Sequence, residues 1–461
     1  MNPGLNPSRS TVLSPPPIEE AALAGARPVP WSAGGGAVAA LQSSAARNFA
    51  WLATDKVVAT LLGLLVFGLI ARHYGPVGSG HYAFALTLLQ AALCLSLVCS
   101  TAAILPRLSR MSRGVPGVLA NVFVVRLIGS VLAAAVVAAY ALFAIDQPDR
   151  LVIALMVVAA APLVEPFFVA TLYWQSRNDN RLPVFNRGVG LLVRTALVAV
   201  AVALGAPLWV PAVGWILEMT VVAVLQVRSM GSLGRWRALA ARVSVWRASR
   251  YFRFGVRFLL GIALGQLFLR GDRLVLAQLM PAHEYGIYAT GMQLVDVWHQ
   301  VGQIIGVSIG PAFLYAALRD QPRLLAHWRT ALALAALGLF GLAMAIVLGR
   351  PVIGLIFGHQ FDGSYPYLVA GTAFAVLAFV DVFINISIAV RRQPYTLAAK
   401  WGVSAAVAIV TQIAMFPRID AFSGPLGLTC GIVSGWIALA ILNVSRHRAA
   451  RRSVTAREAG K

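Results

Sequence analysis

Apolar residues run through this chain in blocks of about twenty, separated by short polar breaks. A helix rising about 1.5 Å per residue needs that length to cross a hydrocarbon core about 30 Å thick. Twelve such blocks follow one another: 48–71, 81–105, 118–144, 151–174, 188–206, 209–227, 255–279, 286–315, 330–349, 366–390, 397–416 and 425–444. The third and eighth are long enough to tilt or to reach beyond the membrane. The pattern predicts an all-α polytopic membrane protein with about twelve transmembrane helices.

The charges between the blocks test that count. Loops after even-numbered spans, with the C-terminal tail and with Arg257 and Lys400 at the adjoining span ends, hold 26 basic residues, from Arg107, Arg110 and Arg113 through Arg177, Arg181 and Arg187 to Arg391, Arg392 and Lys400. Loops after odd-numbered spans hold four: Arg72, Arg150, Arg350 and Arg418. Lys and Arg are retained on the cytoplasmic side, so both termini are expected inside. One missed or extra span would scramble the alternation. The longest even loop, 228–254, mixes Trp236, Leu239 and Trp246 with Arg235, Arg237, Arg242, Arg247 and Arg250. It reads equally as a positive-inside loop and as an interfacial helix on anionic lipid.

Composition agrees: 59% of residues are hydrophobic and 12% charged, against about a quarter charged in soluble proteins. The net charge of +22 does not point to nucleic acid, because the arginines punctuate apolar helices rather than forming one basic module. Residues 1–45, with Pro15, Pro16, Pro17 and Gly34, Gly35, Gly36, have no apolar period and are expected to be a disordered cytoplasmic tail. No basic start leads into an apolar run and cleavage site, so insertion is expected to rely on the first span. Cys94, Cys99 and Cys430 sit in apolar runs without metal-ligand spacing and read as packed small hydrophobes. No cofactor is expected.

The chain also repeats itself. Ala71, Gly80, Tyr82 and Ala83 recur as Ala277, Gly286, Tyr288 and Ala289 at an offset of 206, and Pro106 recurs as Pro311 at 205. Val164-Glu165-Pro166-Phe167 matches Val380-Asp381-Val382-Phe383 at 216. Two six-helix halves starting on the same side follow, with a site between them expected. The expected division is an N-lobe over 46–228, a basic cytoplasmic linker over 229–254, a C-lobe over 255–445 and a basic cytoplasmic tail over 446–461.

The segment from Asp272 to Ala289 resembles the span 7–8 junction of bacterial polysaccharide flippases of the multidrug/oligosaccharidyl-lipid/polysaccharide exporter superfamily. Leu69 to Gly80 is similar to their span 1–2 junction, and Gly424-Pro-Leu-Gly427 to their approach to the last span. The resemblance covers about residues 46–445 and rests on scattered small and aromatic positions. It implies a V-shaped pair of six-helix lobes in the bacterial cytoplasmic membrane. The implied activity is flipping of undecaprenyl-diphosphate-linked oligosaccharide for O-antigen, capsule or exopolysaccharide. Polysaccharide polymerase and export machinery are candidate partners, alongside anionic lipids.

Ionisable residues inside apolar spans are the candidate chemistry, because each costs about 2.5–3.5 kcal/mol at mid-bilayer on insertion scales and normally faces a cavity or a partner. A diphosphate needs cations, and Arg forks suit its oxygens. Lys56, Arg126, Arg270 and Arg273 are therefore the expected headgroup ligands. The bland alternative is Arg–acid pairing that locks helices, with Asp272 as a partner for either neighbour; Arg194 reads mainly that way. Asp55, Asp272 and Asp296 are candidates for ion coupling or helix pairing, and Asp296 shares a helix face with His299. Glu165 and Asp381 occupy equivalent repeat positions, with Asn385 one turn beyond Asp381, and form a candidate coupling pair. Glycines in Gly75-Pro-Val-Gly-Ser-Gly80 make a turn, not a phosphate loop, since no strand precedes and no Lys follows. Gly302, Gly306, Gly310 and Gly427, Gly431, Gly435 form small-residue packing faces. No nucleophile–base pair or metal spacing argues for an enzyme. A cation-coupled drug exporter would favour acidic cavity residues; a membrane glycosyltransferase, polymerase or ligase would need larger outer loops.

Overall fold

The computed structural model describes residues 44–98, 101–109, 111, 114–143, 149–177, 179–231, 242–319, 324–390 and 393–459. Most of the expected N-terminal tail and the 232–241 part of the basic linker lie outside them, as do Arg391 and Arg392. The described residues are helical, without a strand. In chain order the helices are α1 (Ser44–Ser96), α2 (Thr101–Leu108), α3 (Val115–Phe143), α4 (Asp149–Ala160), α5 (Val169–Ser176), α6 (Arg181–Ala203) and α7 (Trp209–Ser229). Then come α8 (Val245–Leu279), α9 (Ala282–Arg319), α10 (Leu324–Ile356), α11 (Tyr365–Val390), α12 (Pro394–Ile419) and α13 (Ser423–Ala459).

Eight stretches of these helices are long and apolar enough to cross a bilayer. Two of them, Ala50–Ser96 and Tyr395–Ser445, are 47 and 51 residues long, enough for two crossings each. Each is broken once, by Gly75 at φ 67° and by Asp420 at φ 53°. The helices α8 and α9, of 35 and 38 residues, are also long enough to cross, and they carry Arg270, Asp272, Arg273, Glu284 and Asp296. All twelve expected spans therefore have a helix. The fourth is interrupted: Ala161–Phe168 tightens to a 3-10 turn where Pro162 and Pro166 lack the N–H an α-helix needs.

Helix runs beyond the expected lobes at two places. Within the expected linker over 229–254, one reading of which is an interfacial helix, α8 starts at Val245 and runs unbroken into the seventh span. Val245 and Trp246 are exposed there, and Arg250 lies over the Trp246 ring. No proline interrupts 245–279, so the amphipathic stretch is continuous with the span. At the other end α13 carries helix to Ala459, through the expected tail.

Within each half the helices pack on one another: α6 on α7 and α3 on the 3-10 turn in the first, α12 on α13, α8 on α12 and α9 on α11 in the second. On the even-loop side the first turns of α8 pack on α3, while on the odd-loop side the halves meet at the junctions after spans 1, 7 and 9. There Phe67 packs edge-on against Phe357, and Val66, Ile70, Tyr82, Tyr285, Tyr288 and Phe361 join one core. Arg72 Nε donates to Ile356 O at 3.0 Å and its Nη2 to Leu355 O, while Gln360 Nε2 donates back to Ala71 O at 3.1 Å. Gly80 and Gly286 complete the closure, as neither has room for a side chain between these backbones.

Candidate functional site

A cavity of about 640 Å³ opens between the halves. It follows α1 from Phe67 back to Leu52 and α9 from Met292 on to Ile304. Since the halves touch beyond Phe67 and Met292, the cavity belongs to the side of the even-numbered loops. Its lining carries four basic side chains, Lys56, Arg187, Arg194 and Arg270, against two acids, Glu218 and Asp296.

Helix geometry explains the pairing. Arg270 and Arg273 on α8 are three residues apart, so one face presents both to α9. Both bond Asp296 Oδ2, Arg273 at 2.6 Å, and Arg273 also donates to Met292 O at 3.0 Å. Two guanidinium groups thus share one carboxylate. Asp272, a candidate partner for either neighbour in the helix-locking alternative, pairs with neither. Adjacent positions are about 100° apart on a helix, so its side chain turns into the second half, where Tyr288 Oη donates to it at 2.6 Å. Of the three, Arg270 lines the cavity, whereas Arg273 is buried behind it.

Across the cavity, Arg194 donates to Glu218 Oε2 at 2.6 Å, and its guanidinium lies 4.0 Å from the Trp215 ring centroid. Arg187 bonds Asp55 Oδ2 at 2.8 Å. Lys56, one position on, is exposed to the cavity and forms no salt bridge among the described residues. Thr60, one turn along, bonds Gln300 Oε1 of the opposite half at 2.7 Å.

The remaining candidates lie inside the halves. Arg126 Nη1 donates to Glu165 Oε1 at 2.9 Å, with both side chains buried, joining α3 to the 3-10 turn. Asp381 accepts from Lys400 Nζ at 2.5 Å, from Asn385 Nδ2 at 2.8 Å and from Trp436 Nε1 at 2.6 Å. Lys400 Nζ also donates to Asn385 Oδ1 at 2.7 Å and lies 4.1 Å from the Trp401 ring centroid. This hub ties α11, α12 and α13. None of these residues lines the cavity.

The structure therefore gathers Lys56, Arg270 and Asp296 at the cavity, with Asp55 and Arg273 holding neighbours that line it. Two participants were misread in sequence. Arg187 and Lys400 count there as loop charges, yet Arg187 lines the cavity and Lys400 is fully buried. A signal existed for Lys400: it lies 206 residues after Arg194, the repeat offset, and inside the apolar block 397–416. Arg187 carried none, being one residue outside its block. Among the described residues no His/Cys/Asp/Glu group is placed to hold a metal.

The fold is similar to solved transporters. Against a lipid II flippase MurJ in an inward closed conformation the TM-score is 0.66 at 12% identity, over 85% of this chain and 87% of that one. Against an inward-facing multidrug resistance MATE family transporter of the MOP superfamily it is 0.68 at 15%, over 87% and 99%. An outward-facing MATE family transporter gives 0.59 at 15%, over 88% and 96%. What this chain shares with all three is the V-shaped, two-lobed exporter fold. No curated protein matches the sequence as a relative. The family model described as polysaccharide biosynthesis protein matches residues 45–314, more than half the chain. This membrane protein belongs to the polysaccharide biosynthesis protein family.

Proposed function

We propose that this protein flips an oligosaccharide linked to undecaprenyl diphosphate from the inner to the outer leaflet of the bacterial cytoplasmic membrane. The observation that carries the reading is the surplus of cations on an interlobe cavity: four basic side chains against two acids. Lys56 supplies a charge with no carboxylate spent on it, and Arg270 shares its acid with Arg273. Both suit phosphate oxygens. The polyprenyl tail stays in lipid while the head enters between the lobes. With both termini cytoplasmic, the even-loop side faces the cytoplasm, and this conformation is the one that loads substrate. Opening the junctions after spans 1, 7 and 9 while closing the cavity mouth completes alternating access. Surface polysaccharide polymerase and export machinery would receive the product.

Cation-coupled drug export suits the same fold, but it calls for acids open to the cavity, and Glu218 and Asp296 are each held by arginine. The deciding experiment is deletion of the gene with analysis of lipid-linked intermediates. Undecaprenyl-diphosphate-linked oligosaccharide should accumulate on the inner leaflet while surface polysaccharide is lost. Unchanged surface polysaccharide without accumulation would count decisively against flipping.

A further inference from the structure

Of the five glutamines that line the cavity, Gln303 contacts His299 Nε2 at 3.4 Å on its own helix, and three stand apart: Gln90 on α1, Gln266 on α8 and Gln293 on α9. All lie well within spans, where a polar amide facing lipid or apolar core would be costly. Each is half-buried, and none makes a side-chain hydrogen bond among the described residues. Gln300, by contrast, is engaged by Thr60. Each free amide offers two donors and one acceptor oxygen.

Their placement is ordered around the ion cluster. Gln266 stands one turn before Arg270 on α8, and Gln293 one turn before Asp296 on α9. Because these helices are antiparallel, the two amides bracket the Arg270–Asp296 pair on its two sides. Gln90 lies 206 residues before Asp296, so the first half carries a neutral amide where the second carries the acid. Ring stacking is poorly served here: the Trp215 face is covered by Arg194, and its Nε1 donates to Tyr82 Oη at 2.8 Å.

We propose that Gln90, Gln266 and Gln293 form a recognition zone for an uncharged sugar bearing hydroxyl or acetamido groups, next to the diphosphate. This rests on the flippase reading. Free amides complement hydroxyls and acetamido groups in both directions of hydrogen bonding, while leaving the cations to the phosphates. A volume of about 640 Å³ holds the diphosphate and the first sugars rather than a long glycan.

The test uses the full-length protein in nanodiscs, titrated with undecaprenyl diphosphate and with undecaprenyl-diphosphate-linked N-acetylglucosamine. Wild type should bind the sugar-bearing lipid at least about tenfold more tightly. Each of Gln90→Met, Gln266→Met and Gln293→Met, which keep side-chain length, should weaken that lipid by about three- to tenfold and leave the bare diphosphate unchanged. Gln293→Asn, with its shorter amide, should fall between wild type and Gln293→Met. Arg270→Gln should weaken both lipids. Equal affinity of wild type for the two lipids, or glutamine variants that weaken both alike, overturns the sugar zone and leaves the flippase reading standing. Wild type that binds neither lipid overturns both.

Discussion

Gly80 and Gly286 face each other across the closed junction of the two halves, and each excludes a side chain for the same reason. A Cβ on Gly80 would lie 2.7 Å from Ala282 O, and one on Gly286 would lie 1.8 Å from Pro76 O. Pro76 and Ala282 are themselves separated by 206 residues, as Gly80 and Gly286 are. The contact is therefore reciprocal, as a pseudo-twofold axis between two repeats requires. Under the proposed alternating access it is also a contact that transport would break.

Gly286→Ala should pry this junction open. Alanine in place of glycine normally favours a helix by about 0.5–1 kcal/mol, whereas overpacking costs about 1–3 kcal/mol. The net expectation is a lower melting temperature. In purified protein carrying Ala282→Cys, maleimide labelling should be faster with Gly286→Ala than without it. Equal labelling rates would mean the contact does not hold the halves shut.

Arg72 should act as a latch on the same side, since its guanidinium caps carbonyls at the end of α10. Those bonds join charge to helix C-terminal oxygens. Arg72→Gln should raise Ala282→Cys labelling without lowering affinity for undecaprenyl diphosphate in the cavity. A pure loss of binding with unchanged labelling would place Arg72 in a different role.

Lys400→Met should be among the most destabilising single changes. It leaves the Asp381 carboxylate buried without its cation, at a cost of about 3–5 kcal/mol. The double variant Lys400→Met/Asp381→Asn should recover much of that loss. A thermal-unfolding double-mutant cycle measures the recovery, and additive losses would refute the pairing.

Glu165→Gln and Asp381→Asn should lower stability while leaving any dependence of transport on an imposed proton or sodium gradient in place. The chain itself supplies the cation at each carboxylate, Arg126 at one and Lys400 at the other. Vesicle transport under imposed gradients is the measurement. Abolished gradient dependence with intact folding would make these acids the coupling sites.

Lys56→Gln should weaken undecaprenyl diphosphate by about tenfold or more, since a hydrogen bond to a charged group contributes about 1.5–3 kcal/mol. The variant should also show a shallower salt dependence. An unchanged titration at low salt would remove Lys56 from the headgroup site.

The twelve spans and their division into halves were legible along the chain because both depend on local quantities. Helix length is set against bilayer thickness, and the repeat of Gly80 and Tyr82 as Gly286 and Tyr288 is a matter of order. The intramembrane charges were legible as well, since each stands out against apolar neighbours. Their partners were not. Arg273 reaches Asp296 rather than the adjacent Asp272, and Lys400, counted among loop charges, is the buried cation of Asp381. A sequence gives the angle of a side chain about its own helix, whereas a partner depends on which helix stands opposite and at what height. Only the packing of α8 on α9 and of α11 with α12 decides that, and with it which cations are left to face the cavity.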